Sequence, residues 1–153
     1  MDKNQVINGW NIISHPSFDA QIWELTNQVE ALKKKHPDSF HKKVPTKLLS
    51  AIIQVIRRIA EDPASSDFRQ GTTLGDEFRH WRRAKFLQQF RLFFRYSDTL
   101  KVIILCWVND ENTLRAYESK TDAYKVFRTM LKKGNPPDDW KALMAHATAR
   151  SEK

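Results

Sequence analysis

The chain has 153 residues, of which 41% are hydrophobic, 29% are charged and 11% are aromatic. This balance is ordinary for a globular protein, and the aromatic content argues against intrinsic disorder. The length predicts one domain over residues 1–153, large enough to bury a core. The formal net charge of +8 favours a polyanionic partner, which is nucleic acid, an acidic protein or an anionic membrane surface.

The sequence predicts no membrane segment, disulfide or metal site. The first residues lack a secretory signal pattern, and no apolar run approaches the roughly 18 residues of a membrane span, so we expect a cytoplasmic protein without membrane contact. The single cysteine, Cys106, lies in the apolar run VIILCWV, which predicts a buried, unreactive thiol. The histidines at positions 15, 36, 41, 80 and 146 show no metal-ligand spacing, and no glycine-rich phosphate loop occurs, so no cofactor is expected.

The first half of the chain predicts a pair of helices. The segment before Pro16 is expected to be a short extended segment or loop, and the proline favours a helix that begins directly after it. The apolar stripe of this helix is Phe18, Ile22, Leu25, Val29 and Leu32. A second helix, with Pro45 in its first turn, carries the stripe Val44, Leu48, Ile52, Val55, Ile56 and Ile59. The two stripes predict an antiparallel helix pair that packs on a flat surface.

The second half predicts an antiparallel sheet. The runs WRRAKF, QFRLFFRY and KVIILCWVN are joined by connections of hairpin length, and FRQGTTLG is a possible edge strand or turn. The third run is apolar at nearly every position, as expected of a central strand covered on both faces. Two helices follow, one capped by Asp122 and ended by Gly134, and one in PPDDWKALMAHATA. The predicted fold class is α+β: an N-terminal helix pair packed on an antiparallel sheet of about four strands, followed by C-terminal helices.

Positive charge is concentrated on this predicted sheet. Between Arg82 and Lys101, six cations stand against one anion, Asp98. Successive strand residues point to opposite faces, which directs one set of side chains toward the helices: Phe90, Leu92, Phe94 and Tyr96. The set expected on an open face is Arg83, Lys85, Arg91, Phe93 and Arg95. An exposed Arg91 would be replaceable by alanine with little loss of stability.

An open basic face with interleaved aromatic rings favours single-stranded RNA. Phosphate compensates the cations, arginine binds it with paired donors, and bases stack on the rings. The predicted RNA contacts in this region are Arg82, Phe93, Arg95 and Lys101. The alternative is an ordinary solvated sheet face, on which an edge lysine discourages aggregation.

Several short blocks carry a family resemblance. They are NGW (8–10), HP (15–16), TKLL (46–49), LFFRYS (92–97), KVIIL (101–105), NDENTLR (109–115), KTDAY (120–124) and PPDDW (136–140). On these blocks the chain resembles the YhaV toxins of PrlF–YhaV type II toxin–antitoxin systems, within the wider RelE/ParE-like toxin superfamily. The resemblance covers nearly the whole chain.

The resemblance implies a bacterial endoribonuclease that cleaves mRNA in association with translating ribosomes. It also implies a PrlF-like antitoxin that neutralises the toxin and alone contacts operator DNA. In RelE-like toxins the catalytic groups are mainly cations on the sheet. The matching positions are Arg83, Lys85 and Arg91 on the strands, Arg115 after the central strand, and Tyr117, Lys120 or Tyr124 toward the C-terminus. Of the last three, Lys120 and Tyr124 are predicted to contact RNA.

Metal-free RNA cleavage needs a deprotonated 2′-OH and donors for the developing charge on phosphate. Arg83 and Arg91 would donate to the phosphate oxygens. Lys85 is the better general base, because flanking guanidinium groups disfavour its charged form. The expected products are a 2′,3′-cyclic phosphate and a 5′-OH. Alternative acid–base groups are His80, Asp110 and Glu111, although the run NDEN is also typical of a turn.

Two other functions fit the same charge distribution. One is a non-catalytic basic module that binds RNA or DNA through the sheet. The other is a ParE-like gyrase inhibitor, which would not need clustered cations on the sheet. Cleavage of a labelled RNA distinguishes the enzyme from a binding module.

Overall fold

A computed structural model describes residues 5–110, 113 and 122–149. The α+β class predicted from the sequence is confirmed. In the described part of the chain the elements are β1 (Gln5–Ile7), β2 (Trp10–Ser14), α1 (Pro16–Lys35), α2 (Val44–Glu61), β3 (Arg82–Phe86), β4 (Phe90–Ser97), β5 (Val102–Val108), α3 (Ala123–Lys132) and α4 (Trp140–Ala149).

The strands form one mixed sheet in the order β1-β2-β5-β4-β3. Neighbouring strands are antiparallel except β2 and β5, which run parallel from the pair Asn11 and Val102 onward. The prediction of about four antiparallel strands that follow the helices is therefore wrong, because residues 5–14 add a hairpin ahead of α1. Asn8 and Gly9 have φ of +51° and +81°, which are the dihedrals that a tight hairpin turn needs.

Helices α1 and α2 cover one face of the sheet and form the first core with it. His15 caps α1, since its Nδ1 accepts a hydrogen bond from the backbone N–H of Ser17 at 3.1 Å. Val44 does not belong to the buried stripe predicted for α2, because the first residue of the helix is exposed. The four side chains predicted to face the helices pack in this core, which confirms their orientation: Phe90, Leu92, Phe94 and Tyr96.

The opposite face of the sheet is also covered, by α3, α4 and the segment that precedes β3. Phe93 is fully buried there, with its ring 4.3 Å from that of Phe127 and 6.0 Å from that of Trp107, measured between centroids. The predicted open face and the predicted RNA contact of Phe93 are therefore wrong. Aromatic rings alternate with the arginines on this face, and the burial of the rings outweighs the hydration of the arginines, which hydrogen-bond within the protein instead.

The C-terminal helices begin and end where the sequence predicts. The Asp122 side chain caps α3 by accepting a first-turn N–H at 3.2 Å, and Gly134, with φ of +77°, follows the last turn. Asp139 caps α4 by accepting from Ala142 at 2.9 Å. Cys106 is buried as predicted, and burial raises the pKa of its thiol. No helix in the described ranges is long and apolar enough to cross a bilayer.

We predict that Phe93→Ala lowers the free energy of unfolding by about 3–5 kcal/mol, because it empties the centre of the second core. Trp23→Ala, which removes an aromatic ring that is 71% exposed, is the control and should change it by less than about 0.5 kcal/mol. Urea unfolding measures both. Equal, small losses in the two variants would contradict the two-core fold.

Candidate active site

Two arginines on neighbouring strands meet one tyrosine of α3. The register pairs Arg83 of β3 with Phe93 of β4, two positions from Arg91, so both arginines point to the face that α3 covers. Nε of Arg83 donates a hydrogen bond to Oη of Tyr124 at 2.9 Å, and Nε of Arg91 donates to the same oxygen at 3.2 Å. We call Arg83, Arg91 and Tyr124 the Arg–Tyr cluster.

Main-chain carbonyls fix each guanidinium of the cluster further. Nη1 of Arg83 donates to the carbonyl of Asp67 at 2.9 Å. Nη1 of Arg91 donates to the carbonyls of Gln88 and Phe90 at 2.8 and 2.9 Å. Nη2 of both arginines makes no hydrogen bond within the described residues. Neither of these nitrogens is fully buried, so both reach solvent.

The cluster holds two positive charges without a described counter-charge. Arg83 and Arg91 are only 9% and 7% exposed. No carboxylate of the described ranges lies within ion-pair distance of either guanidinium, and the described acceptors are carbonyl oxygens and the phenol oxygen of Tyr124. A buried cation without an anion is unfavourable by several kcal/mol. The prediction that Arg91 is an exposed cation is therefore wrong. Within the described residues, the arrangement favours an anionic ligand that reaches both Nη2 groups.

The hairpin turn between β3 and β4 supplies one of these carbonyls. Leu87 and Gln88 have φ of +44° and +64°, in the left-handed region that residues other than glycine enter only at a cost. The carbonyl of Gln88 then accepts from Arg91. The strained turn thus contributes directly to the position of a guanidinium group.

Asn109, which the sequence reasoning missed, ties this turn to the end of β5. Its Oδ1 accepts the backbone N–H of Arg91 at 2.6 Å, and its Nδ2 donates to the carbonyls of Gln89 and Thr113, each at 2.9 Å. A polar residue directly after a buried strand was the signal that could have found it. Asp110 accepts from the Thr113 hydroxyl at 2.9 Å, and the two residues between them, Glu111 and Asn112, lie outside the described residues.

Lys85 lies at the rim of the Arg–Tyr cluster on edge strand β3. The register places it opposite Arg91, and its side chain is exposed. Its backbone carbonyl accepts from Nη2 of Arg58 at 2.8 Å, which joins β3 to α2. The structure thus keeps Lys85 beside the cluster, and its role as a base stays a prediction.

Two further predicted RNA contacts lie away from the cluster. Arg82 points to the face that α1 and α2 cover, where its guanidinium carbon lies 5.1 Å from the centroid of the Tyr96 ring. Lys101 lies in the turn between β4 and β5 and forms an ion pair with Asp98 at 2.9 Å. The structure therefore does not bring either side chain to Tyr124.

Arg95 is held between two tryptophan rings. Its guanidinium carbon lies 5.4 Å from the Trp81 centroid and 5.3 Å from the Trp140 centroid, and its Nη1 donates to the carbonyl of Asp138 at 2.6 Å. Burial lowers the pKa of Arg95, and the nearby carboxylate of Asp138 partly offsets this. The same carboxylate bonds His80 at 2.6 Å and the indole N–H of Trp81 at 2.7 Å. These contacts fasten the start of α4 to the sheet.

The remaining candidates, Arg115, Lys120, Tyr117 and Glu111, lie outside the described residues. Of the predicted catalytic residues, the structure brings Arg83 and Arg91 together and places Lys85 beside them. In the described ranges, no group of three or more His, Cys, Asp or Glu side chains could hold a metal ion.

Comparison with known proteins points to one family. Residues 12–148 match the YhaV toxin family, described as a toxin with endonuclease activity, of a toxin–antitoxin system. A protein of Escherichia coli O6:H1 named Toxin YhaV is 50% identical over 146 residues, which are 94% of this chain and 95% of that protein. Ribonuclease toxin YhaV of Escherichia coli K12 is 49% identical over 146 residues, with the same coverage of 94% and 95%. No solved structure matches the chain.

We predict that Asn109→Ala lowers the free energy of unfolding by about 1–3 kcal/mol, because the buried Arg91 N–H and two partly buried carbonyls lose their hydrogen-bond partner. Asn11→Ala, at an exposed position with one long hydrogen bond of 3.4 Å, is the matched control. Urea unfolding gives the stability, and amide exchange at Arg91 reports the turn. If Asn109→Ala behaved like the control, the asparagine would not hold the site.

Proposed function

Because the chain belongs to the YhaV family of toxins with endonuclease activity, we propose that it is an endoribonuclease that cleaves RNA at the Arg–Tyr cluster. The name of the Escherichia coli K12 relative, a ribonuclease toxin, supports RNA as the substrate. The chemistry of the cluster supports it independently, since two guanidinium groups with no carboxylate partner among the described residues suit an anion with several acceptor oxygens.

The observation that carries this proposal is the shared acceptor of the two arginines. Two buried guanidinium groups donate to the phenol oxygen of Tyr124 and have no described carboxylate partner. Their two Nη2 groups reach solvent and are held in place by carbonyls on the opposite side of each guanidinium. A bridging phosphate would accept from both and supply a negative charge that none of the described carboxylates places there.

The reaction we propose is attack by the ribose 2′-oxygen on the adjacent phosphorus. A base removes the 2′-OH proton, the new bond to phosphorus forms, and the bond from phosphorus to the 5′-oxygen breaks, after which this oxygen gains a proton. The products are a 2′,3′-cyclic phosphate and a 5′-OH. Arg83 and Arg91 stabilise the added negative charge in the transition state. Tyr124 positions both guanidinium groups, and Lys85 is the candidate base at the rim.

The substrate and partners follow from the same proposal. The RNA is mRNA, cut in association with ribosomes, and the activity is inhibited by a PrlF-like antitoxin that alone contacts operator DNA. An antitoxin partner is implied by the toxin–antitoxin description of the family. Since α3 and α4 already cover much of the basic face, the part of that face that the antitoxin would occlude is the rim around Arg91 and Lys85. Arg115 and Lys120 stay predicted contacts for the RNA.

We predict that Tyr124→Phe lowers the single-turnover cleavage rate about 100-fold, because the two guanidinium groups lose their common acceptor and separate. The phenyl ring still packs against Phe93, 5.5 Å away between centroids, so the fold should persist. Tyr96→Phe removes a phenol hydroxyl from the other face of the sheet and should keep the parent rate. A Tyr124→Phe protein that is as fast as Tyr96→Phe would contradict the role of the cluster.

Lys85 is tested by a substitution that keeps its charge. If Lys85 is the base, Lys85→Arg keeps RNA binding but cleaves slowly, and its rate no longer rises with pH, because a guanidinium group does not accept the proton. Lys132→Arg on α3 is the control and should match the parent. A pH series of single-turnover rates decides. A parent-like profile in Lys85→Arg would leave Lys85 as an electrostatic contact only.

A further inference from the structure

A second concentration of positive charge lies at the end of the α1–α2 helix pair. It consists of six lysines, all exposed, which we call the lysine tip: Lys33, Lys34, Lys35, Lys42, Lys43 and Lys47. Asp38 is the single acidic residue between the first and the last of them. Among the described residues, no lysine of the tip has an ion-pair partner. The tip therefore repels itself without internal compensation.

The helix dipole favours the three lysines at the end of α1 but not the three at the start of α2. The three lysines at the end of α1 favour its carboxyl terminus, where the helix dipole stabilises cations. At the start of α2 the same dipole opposes them. Lys43 is the N-cap of α2 without a capping side chain, Lys42 precedes it, Lys47 follows, and no acidic residue occurs in the first turn. Cations kept where they destabilise a helix point to an external anion.

The composition of the tip favours phosphate over a protein partner. Lysine is depleted at protein–protein interfaces, which need buried aromatic or apolar anchors. The aromatic ring at the tip, Phe40, is half-buried and lies under the ammonium of Lys33 at 5.9 Å. A surface that offers lysines but no exposed aromatic ring for a base to stack on binds the phosphates of RNA and not its bases. Such binding does not depend on the RNA sequence. We infer that the lysine tip docks the sugar–phosphate backbone of RNA.

A groove begins beside the lysine tip at the start of α2. This groove, of about 430 Å³, lies between α1 and α2 and is lined by Val44 and Pro45, which are flanked by the second group of lysines. Its far wall is Asn109 and Asp110, and Asn109 holds the backbone of Arg91. The groove thus reaches from the start of α2 to the residue that holds the Arg91 backbone, and its lining also includes the acidic residues Glu24 and Asp110.

The docking role rests on the proposed function, since it names a contact for the RNA that the cluster cleaves. The lysines of the tip take no part in the cleavage reaction itself. The tip should raise the affinity for long RNA and leave the cleavage step unchanged. A hexanucleotide seated at the cluster serves as the short substrate, to whose binding the tip should contribute less than to that of a long strand.

Binding is measured with RNA that carries 2′-O-methyl groups and so cannot be cleaved, as a 20-nucleotide single strand and as a 20-base-pair duplex. The two test variants are Lys33→Gln/Lys34→Gln/Lys35→Gln and Lys42→Gln/Lys43→Gln/Lys47→Gln. The control, Lys132→Gln/Lys133→Gln/Lys141→Gln, removes the same charge from exposed positions on α3 and α4. Each test variant should lower the slope of log Kd against log salt by about 2 to 3, because three phosphate contacts are lost.

Stability and cleavage complete the test. The Lys42/Lys43/Lys47 variant should melt at the parent temperature or above it, since it relieves repulsion at the start of α2. Both test variants should cleave the hexanucleotide at the parent rate but need several-fold more protein for long RNA. An equal change of slope in the control, or no change in either test variant, would overturn the inference. So would normal RNA binding combined with loss of antitoxin binding, which would assign the tip to an acidic protein.

These outcomes separate the docking role from the proposed function. If the parent cleaves no unmodified RNA but the test variants still change the salt slope, the docking role stands and the ribonuclease proposal fails. If the parent cleaves RNA and the slopes are unchanged, the ribonuclease proposal stands and the docking role fails.

Discussion

Strand β5 is buried along Ile103–Val108, so both faces of the sheet need a cover. The α1–α2 pair buries one face of the sheet, so the opposite face needs a second layer of helices. The chain therefore returns with α3 and α4 after β5, and their rings pack on Phe93 and Trp107. This second cover brings Tyr124 to the sheet, and without it the two strand arginines would have no common acceptor.

The site is built at the expense of stability. Two like charges share one phenol oxygen, a turn of two non-glycine residues adopts positive φ, and the buried Asn109 is needed to hold that turn. Each feature is unfavourable or replaceable in a protein selected for stability alone. Together they fix the two guanidinium groups before a ligand arrives, which is the arrangement that stabilises a charged transition state most effectively.

The helices and the later strands could be predicted from the sequence, but the burial of the second face of the sheet could not. Period-2 alternation placed Leu92 and Phe94 on the helix side, and capping residues placed the ends of α3, because both signals are local. The predicted open face failed because an arginine that bonds carbonyls and a solvated arginine have the same pattern in the sequence. The N-terminal hairpin was missed although Asn8-Gly9 is a typical turn pair. Arg91 and Tyr124 are 33 positions apart, so their contact depends on how α3 packs and not on any local pattern.

In the proposed mechanism the Arg–Tyr cluster promotes attack by a ribose 2′-oxygen on phosphorus. The most direct measurement is the mass of the products from a defined RNA in which the single ribose at the mapped cleavage site is replaced by 2′-deoxyribose. Because the 2′-oxygen is the attacking atom, we expect a 2′,3′-cyclic phosphate and a 5′-OH from the all-ribose RNA and no cut at the substituted position. Cleavage of the deoxy-substituted RNA at that position, or products with a 5′-phosphate, would contradict it.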